Sequence, residues 1–210
     1  MQVEIWSDVI CPWCYIGKRR FDIALANFAQ RESVTLVWRS FELDTESPPQ
    51  YSVTLEEMLA QKYDISPQDA AEMNARVTGH AKEVGLEYHL NAARPGNTFD
   101  AHRLLHFAAS RQLGNQAAER VMQAYFSESL AVGDRAALAR LATEFGLTES
   151  EVLDMFASDA YTAEVRADQA RAAKLNITSV PYFVIDEKIG ISGAQPVEVF
   201  AQALQQALAD

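Results

Sequence analysis

Both cysteines of the chain fall in one tetrapeptide, Cys11-Pro12-Trp13-Cys14, at the seam between two hydrophobic periods. Before it, Gln2-Val3-Glu4-Ile5-Trp6 alternates polar and apolar, the mark of a half-buried strand. After it, Phe21, Ile23, Leu25 and Phe28 lie in a helical pattern running from Ile16 to Gln30. The pair therefore sits where a strand gives way to a helix. The first turn of a helix presents N–H groups without partners and a partial positive charge, which favours a thiolate. Cys11 is accordingly expected to titrate below the ~8.5 of a free thiol and to be the attacking sulfur. Pro12 suits the first helical position, where its missing N–H removes no bond. Cys14, about one turn further on, is expected to be the more buried thiol and to resolve the mixed disulfide by closing an internal one.

Two other chemistries fit a bare pair of cysteines. Half a zinc site needs two more ligands, and His102 and His106 share a helix face at i, i+4. They stand about 90 residues from Cys14, against the dozen or so of a compact finger. Alternatively the thiols are small apolar residues with no chemistry at all.

Length and composition bound the rest. A chain of 210 residues buries a core without staples and makes one domain, or one domain with a large insertion. Hydrophobic residues at 49% and charged ones at 22% place it among globular proteins. A net charge of −11 with no basic run excludes nucleic acid as the main partner. No stretch approaches the ~18 apolar residues of a membrane span. The start is strand-like, without the basic segment and apolar core of a signal peptide, so either the chain works in the cytoplasm or a leader has been removed, and Met1 favours the cytoplasm. There a cysteine pair is more often catalytic than structural.

Along the chain, residues 33–43 alternate as a second strand, so 1–43 reads as a βαβ unit with parallel strands. Residues 44–52, with Pro48-Pro49, break the pattern. Helices follow. Thr54-x-x-Glu57, Ser66-Pro67, Asp134 and Thr148-x-x-Glu151 are helix starts, and Gly85, Gly114 and Gly146 read as stops. The spacing predicts helices over 67–84, 99–113, 116–129, 135–145 and 162–175. Strands return at 182–186 and 188–192, joined as a hairpin at Asp186-Glu187, and Gln195-Pro196 opens a last helix over 197–209. No internal repeat is visible. The order implies an α/β domain made of 1–53 and 160–210, interrupted by an all-helical domain at 54–159.

A βαβ unit with Cys-x-x-Cys at its first strand–helix turn, followed later by ββα, resembles the thioredoxin fold. Four motifs narrow the likeness: Ser7-Asp8-x-x-Cys11-Pro12-Trp13-Cys14-Tyr15-x-Gly17, Asn97-Thr98-x-x-Ala101-His102-Arg103, Thr178-Ser179-Val180-Pro181-Tyr182-Phe183 and Ser192-Gly193-Ala194-Gln195-Pro196. Together they span nearly the whole chain and resemble the FrnE-like branch of the DsbA family. That branch is related to 2-hydroxychromene-2-carboxylate isomerases and kappa-class glutathione transferases.

The resemblance implies a cis bond before Pro181, facing the cysteines, that frees the Val180 backbone to pair with an incoming chain as an added strand. The alternative is a trans proline that opens a strand. Trp13 then offers an apolar contact and Pro12 tunes the couple. The resemblance also places Asn97 and His102 near a glutathione-binding neighbourhood. Read from the residues alone, they are a helix cap and an interior histidine. Asp8 is either a proton acceptor for Cys14 or a turn residue. Kappa-class enzymes hold glutathione with a serine where this chain has Cys11, so retaining both cysteines points to thiol–disulfide exchange. The expected function is a protein disulfide oxidoreductase or isomerase, without a cofactor beyond the cysteine pair. Its partners are protein thiols and disulfides, or glutathione as co-substrate, and a homodimer follows by analogy with the kappa-class relatives. The alternatives are a glutathione-dependent isomerase or transferase acting on a small aromatic substrate, and a non-catalytic or zinc-holding binding module.

Overall fold

The computed structural model describes residues 1–209. Strand β1 (Gln2–Ser7) leads into helix α1 (Pro12–Ala26), which returns the chain to β2 (Thr35–Ser40), parallel to β1. Helices α2 (Leu55–Tyr63), α3 (Pro67–Glu83), α4 (Phe99–Ser110), α5 (Gly114–Glu128), α6 (Arg135–Ala142), α7 (Glu149–Ala157) and α8 (Thr162–Lys174) follow. The antiparallel hairpin β3 (Tyr182–Ile185) and β4 (Ile189–Ser192), then α9 (Val197–Ala209), complete the chain. The sheet order is β2-β1-β3-β4, so β1 is central, with Ile5 paired to Trp38 on one side and to Phe183 on the other. This is the expected βαβ and ββα frame with helices inserted between its halves.

Period-two alternation splits β1 between two faces. Val3 and Ile5 point into a core closed by α1 and α9, where Phe21, Phe183 and Phe200 meet edge to face and stacked. Each such phenylalanine contributes on the order of 1.5–3 kcal/mol by leaving water. Trp6 points to the opposite face, against Ala172 of α8 and Val184, with its indole N–H donating to the Asp168 carbonyl at 3.2 Å. Glu4 shares that face and is buried. Burial alone would raise its carboxyl, but hydrogen bonds from Arg171 and Arg39 hold it below the usual carboxylate value. Asp168 is held low in the same way, its burial outweighed by His106, the Ser40 N–H and Arg39.

A second, larger core runs through the helical block and reaches Val9, Cys11, Cys14 and Tyr15. The strand–helix turn is therefore wedged between the sheet domain's core and the helices. Lys18, Arg19 and Tyr15 of α1 converge on Glu119 of α5, each at 2.6 Å, and clamp the two helices together.

Several boundaries differ from the periodic reading. Helix α1 runs from Pro12 to Ala26 rather than from Ile16 to Gln30, because Pro12 opens it and Asn27 ends it, its amide donating to the Ile23 carbonyl at 2.9 Å. β2 covers only the residues that lie opposite β1, from Thr35 to Ser40, and not 33–43. α4 stops at Ser110, where Gln112 turns left-handed (φ 63°) and the Leu113 N–H reaches the Ala108 carbonyl. Gly114 is not that stop: it is the first residue of α5. A Cβ there would press on the Ala109 Cβ at 3.2 Å, so α4 and α5 meet at this glycine.

Candidate active site

The site is built on the end of β1. A tight turn, closed by the Cys11 N–H on the Asp8 carbonyl at 3.1 Å, delivers Cys11 to the N-cap of α1 with Pro12 at the first helical position. Extended backbone at Cys11 (φ −81°, ψ 113°) points its carbonyl into the helix, where it accepts from the Cys14 N–H at 3.0 Å. The Cys11 side chain caps nothing, and its Sγ–H faces the Val180 carbonyl at 3.7 Å. Both cysteines are free thiols. Cys14 is 1% exposed and Cys11 5%, so the second sulfur is the deeper, though both are largely covered. Burial pushes the Cys14 thiol well above its ordinary value, and the neighbouring Cys11 sulfur pushes it further. The Ser7 hydroxyl and the Asp8 N–H act in the opposite sense and do not offset this.

The Val180–Pro181 peptide bond is cis, as the resemblance implies. Pro181 lies against α1 at Gly17, where a Cβ would come within 2.9 Å of the Pro181 Cγ and 3.4 Å of Ala194. Only a residue without a side chain lets α1, the Pro181 turn and the Gly193-Ala194 loop come so close. Arg20 fastens the same contact, donating to the Ala194 carbonyl at 2.6 Å. That is the physical content of the Gly17 and Ala194 positions in the sequence motifs, while Gly193 supplies a left-handed turn (φ 80°).

Above Cys11, Pro12 and Val180 opens a cavity of about 510 Å³, roofed by α2 and α3. Trp13 stands at its rim, 40% exposed, with its ring 5.3 Å from that of His80. Cys11, Pro12, Trp13 and Val180 thus come together around one space. Asn97 and His102 do not join them. Asn97 sits behind the wall: its amide donates to the Ser47 carbonyl, its N–H to the Pro48 carbonyl, and its Oδ1 accepts from Phe99 N–H at 2.9 Å. It ties the 44–52 loop to the start of α4. His102 is 1% exposed and lies 3.4 Å from the equally buried Asp8, whose other oxygen accepts from the Leu43 N–H. The Cys2His2 zinc set does not assemble. His106 faces away to Asp168 and Ser40, each at 3.1 Å, and among the described residues no three His, Cys, Asp or Glu side chains converge to hold a metal.

The cavity roof and one tether carry no distinctive signal in the sequence. Leu55, Met58 and Leu59 of α2, and Met73, Asn74 and Val77 of α3, line the cavity. Their i, i+3, i+4 spacing was visible, but an apolar stripe reads first as core. The tether is Tyr88, which donates to the Pro12 carbonyl at 2.8 Å while its ring stacks on Phe126. Burial pushes its phenol up, so it remains a donor. Nothing in a short ambiguous segment signals such a long-range bond.

Comparison with known proteins agrees with this geometry. The model of the DSBA-like thioredoxin domain matches residues 2–205. The solved structure of a probable DsbA oxidoreductase from Streptomyces coelicolor is 43% identical, covers 100% of this chain and 91% of its own, and superposes with a TM-score of 0.95. YwbO of Bacillus subtilis is 28% identical over 206 residues, 97% of this chain and 96% of that one. A 2-hydroxychromene-2-carboxylate isomerase shares the fold at 15% identity and TM-score 0.73, covering 99% of this chain and 96% of its own. With a cysteine pair at the head of α1, a cis proline facing it and a family match over almost its whole length, this chain belongs to the DsbA-like thioredoxin domain family.

Proposed function

We propose that the chain is a thiol–disulfide oxidoreductase in which Cys11 exchanges with a partner and Cys14 resolves. The observation that carries this reading is the unequal placement of two free thiols on one helical turn: Cys11 at the N-cap on a cavity floor, Cys14 sealed behind it. In the reducing direction the Cys11 thiolate attacks a disulfide R–S–S–R′, forming Cys11–S–S–R and releasing R′–S⁻, which takes up a proton. Cys14 then loses its proton and attacks the Cys11 sulfur. R–S⁻ leaves, and the pair is oxidised by two electrons while the partner is reduced. Oxidation of a substrate dithiol is the reverse.

The cause of the high Cys14 pKa gives this order a physical basis. Part of that elevation comes from the Cys11 sulfur. Once Cys11 is tied up in a mixed disulfide it carries no charge, that part lapses, and Cys14 becomes easier to ionise at the step that needs it. Val180 lines the same cavity, and its carbonyl passes from the Cys11 thiol to an incoming chain.

Because an isomerase shares this fold, fold alone does not choose the chemistry. The two cysteines do, and no bound cofactor is needed for the exchange. We place the reaction in the cytoplasm, with glutathione as the small thiol that resets the pair. The test is insulin reduction beside a Cys14→Ser variant. That variant is expected to lose turnover and to accumulate Cys11 mixed disulfides on non-reducing gels. Full activity of Cys14→Ser would overturn the dithiol mechanism, and glutathione-dependent turnover of a chromene substrate surviving the change would favour the isomerase.

A further inference from the structure

The geometry points to a small-molecule site in the cavity above Cys11, shaped for a medium-chain alkyl carboxylate. It goes beyond the reading of Cys11 as the exchange thiol and stands on the cavity's own lining. The inward stripe of α3 is Ala70, Asn74, Val77 and Ala81, apolar except at Asn74. Asn74 lines the cavity, is 9% exposed, and its Nδ2 has no hydrogen-bond partner among the described residues. A buried amide donor without an acceptor is unfavourable, and such groups in native proteins are normally satisfied. A ligand oxygen beside Asn74 satisfies it.

The walls define the rest of the ligand. Leu55, Met58 and Leu59 from α2 face Met73 and Val77 from α3, so the roof is hydrocarbon and thioether. Such side chains repack around a flexible alkyl chain more readily than rigid ones do. The volume of about 510 Å³ is in the range of small-molecule sites. The charge in the lining favours an anion. Lys62 and Arg76 line it and take part in none of the ion pairs found among the described residues, whereas its single carboxylate, Asp44, already accepts from Tyr51 and from the Glu46 N–H. This is a cationic lining in a chain of net charge −11. A carboxylate at Asn74 with its chain between α2 and α3 covers Cys11 and shuts the site to a polypeptide.

The probe is dodecanoate below its micellar range, with dodecanol as the uncharged analogue and 2-naphthoate as the aromatic acid. The readout is the rate at which iodoacetamide alkylates Cys11 in the reduced protein. Dodecanoate is expected to slow alkylation at least tenfold with one site per chain, and dodecanol to bind at least tenfold more weakly. Asn74→Leu is expected to weaken dodecanoate about tenfold and dodecanol by less, since a neutral hydroxyl is the weaker acceptor. The double variant Lys62→Gln/Arg76→Gln, at two exposed positions, serves the same purpose if Asn74→Leu fails to fold. Absence of protection, equal binding of acid and alcohol, or dodecanoate affinity indifferent to the variant that folds would overturn the assignment. Tighter binding of 2-naphthoate would overturn its alkyl part. Insulin reduction without ligand, measured on the same preparation, separates the two readings. Normal turnover without protection sinks this inference alone, and protection without turnover sinks only the dithiol reading.

Discussion

Replacing a helical glycine by alanine should have opposite consequences at Gly17 and Gly79. Both lie inside helices, α1 and α3, so each substitution gains the same intrinsic helix preference, about 0.5–1 kcal/mol. At Gly79, which is exposed, an added Cβ meets nothing within 4 Å. The gain stands, and Gly79→Ala should be stabilised by roughly that amount. At Gly17 the Cβ meets the Pro181 ring at 2.9 Å and Ala194 at 3.4 Å on two sides. Neither neighbour is the free end of a flexible chain, so α1 or the Pro181 turn has to move. Overpacking of this kind costs about 1–3 kcal/mol, which exceeds the propensity gain. Gly17→Ala should therefore lose about 1 kcal/mol net, leaving the two variants about 2 kcal/mol apart. Urea melts of the reduced proteins read the difference directly. Because the strain falls between Pro181 and the redox helix, Gly17→Ala should also slow insulin reduction while Gly79→Ala leaves it intact. Equal stability changes in the two variants would refute the close approach, and with it the placement of Pro181 against α1.

Two further outcomes follow from the same structure. Tyr88→Phe removes the bond to the Pro12 carbonyl but keeps the ring on Phe126, so it should cost about 1 kcal/mol in a urea melt; a loss of ~3 kcal/mol or more would contradict a retained stack. Glu4 and Asp168 titrate below their ordinary values of 4.5 and 3.8 because cations and N–H groups outweigh the effect of burial. Folded values below unfolded ones add stability above the ordinary values, and that stability drains away as pH falls through the lower folded values. Melts from about pH 7 to about pH 3 should show it declining below roughly pH 4.5, and Arg39→Met should flatten the decline; an unchanged slope would deny Arg39 that role.

Much of the frame was legible because its signals are local. Thr54 and Ser66 cap α2 and α3 with reciprocal bonds to Glu57 and Asp69, all within one turn of chain. The β3–β4 hairpin turns at Asp186 and Glu187, both with positive φ. The cysteine pair was legible for the same reason: strand, turn, Pro12 and helix are contiguous. Where the structure departs from the periodic pattern, a non-local contact decides. Gly114 has the look of a helix stop, yet it serves the packing of α4 on α5, and the left-handed residue is Gln112, which carries no such signature. The length of β2 is set by where β1 lies opposite. Asn97 and His102 stood out by motif and lie outside the cavity, while Asn74 and Met58, which line it, looked like ordinary positions on amphipathic helices.

Whether Cys11 and Cys14 act as one two-electron couple can be read from a thiol titration. The direct measurement equilibrates the protein in glutathione buffers of graded potential, quenches with an alkylating agent and counts free thiols on each cysteine by mass. A single couple makes both thiols vanish together as an internal disulfide, along one curve in which a tenfold change in the ratio of forms takes about 30 mV. Independent titration of the two sulfurs, or stable glutathionylation of Cys11 with Cys14 left reduced, would contradict it.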